Sequence, residues 1–277
     1  SVSRGLGDVY KRQVFFFLWL SMGSIELAVL SFIPMAISWL WILGLMAIFH
    51  MQFNIVNIIL ATFIFGQGDD YTIFMTEGAM YEYAYRRKML ASYKHSIIIS
   101  ALIMFIGIGT LIVARHPALR SLAEVTIAGM FSVVLMAYIF PPLIFNWLVK
   151  HKGEYRVRPL SLQMLFRRRK EGVAYYHDLV LDRYRYKGVE VFSTVKRNLR
   201  RNRDYQAWME QQDTSLPVII PSAGYGEKVL LFALLHPETK VIAVEADPDK
   251  CRLMKFSMEG IVENVEIINQ AEISRQM

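Results

Sequence analysis

Four stretches of this sequence, Glu26 to Met46, Asn54 to Met75, Ser96 to Val113 and Leu122 to Leu148, are apolar over lengths close to a bilayer crossing. A helix needs about 20 such residues to cross. In lipid every backbone N–H and C=O must be paired within its own segment, so these stretches can only be helices. A fifth run, "VFFFLWLSM" from Val14, is too short to cross and reads as a truncated helix. Apolar residues make up 54% of the chain and the mean hydropathy is +0.31, with the bias concentrated between Val14 and Val149. Pro34, Pro141 and Pro142 lie inside apolar stretches, where they kink a helix without excluding it. Trp39, Trp41 and Trp147 suit the membrane interface. The expectation is an α-helical membrane bundle of four full helices and a truncated one, occupying 14–149.

Residues 1–13 are set apart. "DVYKRQ", Asp8 to Gln13, resembles the translated end of a transposon-based sequencing adaptor. The competing reading is a signal peptide built on Lys11, Arg12 and the apolar run, but no small-residue cleavage site is clear. On the adaptor reading the natural protein continues upstream.

Orientation follows from basic residues in the connections. Thr76 to His95 holds Arg86, Arg87, Lys88 and Lys94, and the segment after Leu148 holds Lys150, Lys152, Arg156, Arg158 and Arg167 to Lys170. The turn "ARHPALRS" holds only two. The positive-inside bias therefore expects both basic segments, and everything after Leu148, in the cytoplasm. The net charge of +7 comes largely from this juxtamembrane region, which favours contact with membrane lipids over nucleic acid.

The second apolar stretch carries the chemistry. "ILATFIFGQGDDYTIFM" sets Asp69 and Asp70 side by side, where an ionised Asp costs about 2.5–3.5 kcal/mol on insertion scales. Successive helical positions differ by about 100°, so the two acids face different ways. Asp70 shares a face with Gln67, and Asp69 with Thr62 and Thr72. Removal from water favours the neutral carboxyl, so an acid here can take up and release a proton, with Tyr71 expected to hydrogen-bond Asp70. The plainer reading puts both acids at a hydrated helix end with no role.

"GDDY", Gly68 to Tyr71, resembles the Gly-x-Asp-Tyr motif of the MMPL branch of the resistance-nodulation-division (RND) transporters. The helix order around it, the basic connection "YRRKMLASYKHS", the glycines of "FIGIGTLI" and the turn "HPALRSLAEVTIAG" are similar as well. The resemblance covers Val14 to Leu148 and implies the second helix set of a proton-driven exporter in the bacterial inner membrane. It implies Asp70 and Tyr71 as the proton relay, the proton gradient as energy source, a lipid or other hydrophobic cargo, and an N-terminal transporter half as partner. Asp69 stands at the position the motif leaves variable and is an additional relay candidate. Gly107 and Gly109 are expected to admit a neighbouring helix or to be ordinary small-residue packing. A non-transporting scaffold or lipid sensor is the alternative within this architecture.

Past the bundle, 150–216 reads as a basic, mostly helical linker. Its interleaved Tyr and Arg favour a solvated or lipid-facing helix over a nucleic-acid surface. "YHD", Tyr176 to Asp178, has no metal-ligand spacing and reads as structural; no metal is expected. From 217 to 277 the order changes to βαβαβ: Val218 to Ile220, a helix from about Glu227 to Leu235, "KVIAVEA", a helix from Pro248, and "VEIIN". That order opens a Rossmann-like, doubly wound nucleotide-binding sheet. Gly224 and Gly226 permit close backbone approach, and Glu245 ends the second strand where it can accept hydrogen bonds from ribose hydroxyls. "SAGYG" and "VEAD" are similar to the first motif and acidic strand end of class I S-adenosylmethionine-dependent methyltransferases. The resemblance implies S-adenosylmethionine as cofactor at Gly224, Gly226 and Glu245. Ser222 and Ile220 depart from the pattern, and the array stops after its third strand, so an incomplete methyltransferase-type domain, inactive by itself, is expected. A membrane-anchored methyltransferase is the competing reading of the whole.

Overall fold

The computed structural model describes residues 13, 16–17, 19–20, 22–48, 55–162, 171–201 and 203–270, with backbone only at 55–63, 65, 67, 118, 201 and 203. The adaptor-like residues 1–12 and the basic run Arg167 to Lys170 lie outside this description. The described chain is mostly helical and divides into two compact units: Ser1–Ala79 with Lys88–Trp147, and Met80–Arg87 with Leu148–Met277.

The first unit holds α1 (Ile25–Ile48), most of α2 (Ile55–Tyr85), α3 (Leu90–Gly109) extended by a 3₁₀ turn (Thr110–Val113), and most of α4 (Pro117–Val149). Among the described residues three spans are long and apolar enough to cross a membrane: Ile25–Ile48, Leu90–Val113 and Leu119–Val149. The fourth expected crossing is helical as part of α2, but Asn57, Gln67, Asp69 and Asp70 interrupt its apolar run and it does not join the other three. The kinking prolines sit inside α1 and α4.

The bundle core gathers Ile42 and Met46 of α1, Ile64, Tyr71 and Met75 of α2, Ile97 of α3, and Val125, Met130 and Val133 of α4. Glycine sets the approach of α2 to α4. A Cβ on Gly68 would lie 3.1 Å from Val133, and one on Gly129 would lie 2.5 Å from Ile64. Among the described residues nothing comes within 4 Å of a Cβ on Gly107 or Gly109, so the close approach expected there is made at Gly68 and Gly129 instead. Buried hydroxyls are satisfied within their own helices: Thr76 donates to the Thr72 carbonyl at 2.7 Å, Thr126 to Leu122 at 2.7 Å and Ser132 to Ala128 at 2.8 Å. Leu102, Ile103 and Ile106 on α3 are exposed, the surface a lipid-facing helix needs.

In the second unit a short antiparallel hairpin pairs β1 (Lys150–His151) with β2 (Glu154–Tyr155). Among the described residues three helices follow, α5 (Val173–Tyr184), α6 (Val189–Arg201) and α7 (Arg203–Glu210). Then come β3 (Val218–Ile220), α8 (Glu227–Leu235), β4 (Val241–Glu245), α9 (Pro248–Met258) and β5 (Val265–Asn269). The strands form a parallel sheet in the order β3-β4-β5, with Val218 opposite Val241 and Val241 opposite Val265. Along β3 burial alternates: Val218 and Ile220 are buried while Ile219 is 59% exposed. Among the described residues this strand is covered on one face.

The segment read as a linker is built into this unit. Val191, Val195 and Leu199 recur at helical spacing on α6 and enter the core, leaving Lys196, Arg197 and Arg200 exposed. Arg183 of α5 is 3% exposed and its guanidinium donates to the carbonyls of Ser257 (2.7 Å), Phe256 (3.0 Å) and Glu259 (2.7 Å), and to Arg156 (3.1 Å). It thereby caps the C-terminal end of α9, where unpaired carbonyls and the helix dipole favour a cation. Lys187, also buried, donates to the Ser257 hydroxyl at 2.6 Å. Burial, and the nearby Arg183 and Arg86, push its amine well below the ordinary lysine value.

Candidate functional site

Two groups of sequence-selected residues can be placed. The first is the Asp69–Tyr71 turn of α2. Tyr71 is 7% exposed in the bundle core, and its hydroxyl pairs with that of Ser100 on α3 at 3.1 Å. Asp69 is half-buried, and its Oδ1 is buried with no hydrogen-bond partner among the described residues. Asp70 is exposed, on a face shared with Phe74 and Glu77. The expected hydrogen bond between Tyr71 and Asp70 is thus replaced by one to Ser100, because adjacent helical side chains diverge by about 100°. Thr72, expected on the Asp69 face, donates to the Asp69 carbonyl at 2.9 Å, and Thr76 pairs with Ser31 of α1 at 3.3 Å. The side chains of Thr62 and Gln67 lie outside the description. Ser31, Thr76, Ser100 and Glu77 were not singled out from the sequence. The i, i+4 spacing of Thr72 and Thr76, and a lone serine in "IIISALIMF", were the available signals.

The second group sits at the carboxyl end of the sheet. Gly224 and Gly226 have φ of +61° and +83°, and Ser222, standing where a motif glycine is usual, has φ of +51°. The left-handed region is costly for a residue with a Cβ, which explains the usual glycine. Gly226 also has no room for a side chain, because Met254 of α9 fills the space its Cβ would take; Gly224 opens onto free space. Glu245, 9% exposed, binds the loop: its Oε2 accepts from the Gly224 N–H at 2.7 Å, and its Oε1 from the N–H groups of Ala246 (3.0 Å) and Asp247 (3.1 Å). A carboxylate offers about four acceptor positions, so capacity for one more donor remains. Asp247 then caps α9, accepting from the Asp249 and Lys250 N–H groups at 2.9 and 3.4 Å.

Glu227, which was not anticipated, opens α8 with 3% exposure and accepts from the Asn198 amide at 2.8 Å. A carboxylate suits a helix N-terminus. The Tyr184 hydroxyl donates to the Tyr225 carbonyl at 2.6 Å, and that of Tyr205 to the Lys228 carbonyl at 2.7 Å, so α5 braces the glycine loop and α7 the first turn of α8. Among the described residues no three His, Cys, Asp or Glu side chains gather as a metal site, and Tyr176 to Asp178 form none.

No protein-family model, no curated protein and no solved structure matches this chain.

The two glycines should respond unequally to a methyl group. Gly226→Ala is expected to cost about 2–5 kcal/mol, the sum of left-handed backbone and overpacking, and Gly224→Ala about 1–2 kcal/mol from backbone alone. Thermal unfolding of the full chain in detergent measures the order, and a larger loss at Gly224 contradicts it.

Proposed function

We propose that this chain is part of a proton-driven exporter of the RND/MMPL type, with a lipid or other hydrophobic product as cargo. The observation that carries the reading is a helix that buries Tyr71 among apolar helices, its hydroxyl bonded across to Ser100, with half-buried Asp69 and exposed Asp70 on the adjoining faces of the same turn. Carboxyl groups at such a place are functional by default. Proton occupancy changes the charge of the Asp70 side chain, and charge biases which of two helix packings is favoured. Tyr71 and Ser100 pass that bias from α2 to α3, and Asp69 is the second carboxyl within reach of the same change. The resemblance of "GDDY" supports Asp70 and Tyr71 as the relay, an N-terminal transporter half as partner, and the bacterial inner membrane as location. In the membrane-embedded protein, Asp70→Asn should abolish proton-coupled export at an unchanged membrane level. Export unaffected by that change removes Asp70 from the mechanism.

The α/β unit is read as a methyltransferase-type domain on the cytoplasmic side. The residues fit S-adenosylmethionine: Gly224 leaves open space beside a backbone N–H, and the Glu245 carboxylate keeps acceptor capacity. These two would hold the nucleoside, with Gly226 shaping the turn, and the cofactor's chemistry is methyl donation. A membrane-anchored methyltransferase is the second reading, favoured by the direct Gly224–Glu245 contact. Calorimetric titration of the full chain with S-adenosylmethionine should release heat that Glu245→Ala removes; no heat at millimolar ligand contradicts cofactor binding.

A further inference from the structure

The last residues of α2 belong to the second unit, although the helix runs unbroken from the carboxylate turn. Ala84 is fully buried in the core of that unit, and Tyr83, 2% exposed, packs its ring against Tyr155 of β2 with centroids 5.5 Å apart. Just past the helix, Arg86 takes a left-handed φ of +53° and lays its guanidinium over the Tyr155 ring, 3.1 Å from the centroid. Arg87 then reaches Asp249, in the first turn of α9, at 2.8 Å. Asp249 donates its N–H to Asp247, whose own N–H is held by Glu245, which holds Gly224. A short run of direct contacts therefore connects the tip of α2 to the glycine loop.

We propose that α2 is a transmission rod and its tip a latch. Arg86 on Tyr155 and Arg87 on Asp249 clamp the helix end into the α/β unit, and opening or closing this clamp alters the packing of the Asp69–Tyr71 turn. Asp70 and Ala84 are fourteen residues apart, about 21 Å at 1.5 Å per residue. An unbroken helix transmits rotation or translation over that length, since α2 contains no proline to absorb it. The proposal requires the clamp to open as well as close. Arg87 and Asp249 are 43% and 45% exposed, and a half-exposed ion pair opens readily, whereas Ala84 and Tyr83 keep the closed state specific. Coupling of this kind needs a two-state element that both ends bias, and the clamp is that element. Its consequence for transport rests on the relay reading above; the coupling itself does not.

The test uses the full chain in lipid nanodiscs, comparing wild type, the Arg86→Ala/Arg87→Ala double variant, Arg87→Lys and Lys240→Ala. The last removes the exposed Lys240–Glu266 ion pair of the same unit and serves as control. Amide exchange of residues 80–87 reports the latch, and the rate at which an apolar carbodiimide modifies Asp69 and Asp70 reports the turn. The double variant should raise the exchange several-fold and shift the carbodiimide rate several-fold, with Arg87→Lys close to wild type and the control unchanged. The proposal is overturned if exchange rises while the carbodiimide rate stays at wild type, if exchange does not rise, or if the control shifts both readouts equally. A loss of the export phenotype of Asp70→Asn alongside intact coupling would remove the relay reading and leave the latch standing.

Discussion

Inside an apolar helical bundle a polar group must be paired within its helix or across to a neighbour, because no solvent is there to do it. The first unit obeys this at nearly every described position. Thr76, Thr126 and Ser132 return their hydroxyl protons to carbonyls one turn back, and Tyr71 pairs with Ser100. The Asp69–Asp70 pair stands against that background: one acid has a buried oxygen without a described partner and the other lies on the outer face. That local cost, which the rest of the bundle avoids, is the ground on which a role for the turn is proposed.

The second unit follows the same rule with longer side chains. Arg183 answers the open carbonyls at the end of α9, Asp247 the open N–H groups at its start, and Glu245 the N–H groups of Gly224, Ala246 and Asp247. Asp247 and Arg183 thus fix the two ends of that helix, and the carboxyl edge of the sheet is shaped by Glu245 before any ligand is considered. The tip of α2 joins the same frame through Arg87 and Asp249, so the unit carrying the glycine loop and the helix carrying the acids share a structural element.

Much of this was legible because its causes are local. Long apolar runs dictate helices, and the alternation of short strands with helices after Leu216 dictated the βαβαβ order that forms the parallel sheet. Other features depend on partners distant in sequence. The 100° step separates Asp69 from Asp70, but which of them turns outward depends on how α2 packs, and the close approach of Val133 of α4 to Gly68 is part of that packing. The Val191, Val195, Leu199 stripe was readable, but the basic residues between these positions drew the segment toward a linker reading. Arg86 and Arg87 were counted as topogenic charge, and nothing nearby in sequence announces Tyr155 or Asp249. Gly107 and Gly109 looked like contact glycines because small residues mark helix interfaces in general, and no described neighbour uses them.

The claim at the centre of this account is that a carboxyl group in the α2 turn exchanges a proton. Infrared difference spectroscopy of the full chain in nanodiscs, recorded as pH is stepped across neutrality, observes that exchange directly. The account predicts a carboxylic-acid band that rises and falls with pH and is altered by Asp69→Asn or by Asp70→Asn. A spectrum with no titrating band, or one that Asp70→Asn and Asp69→Asn both leave untouched, would contradict it.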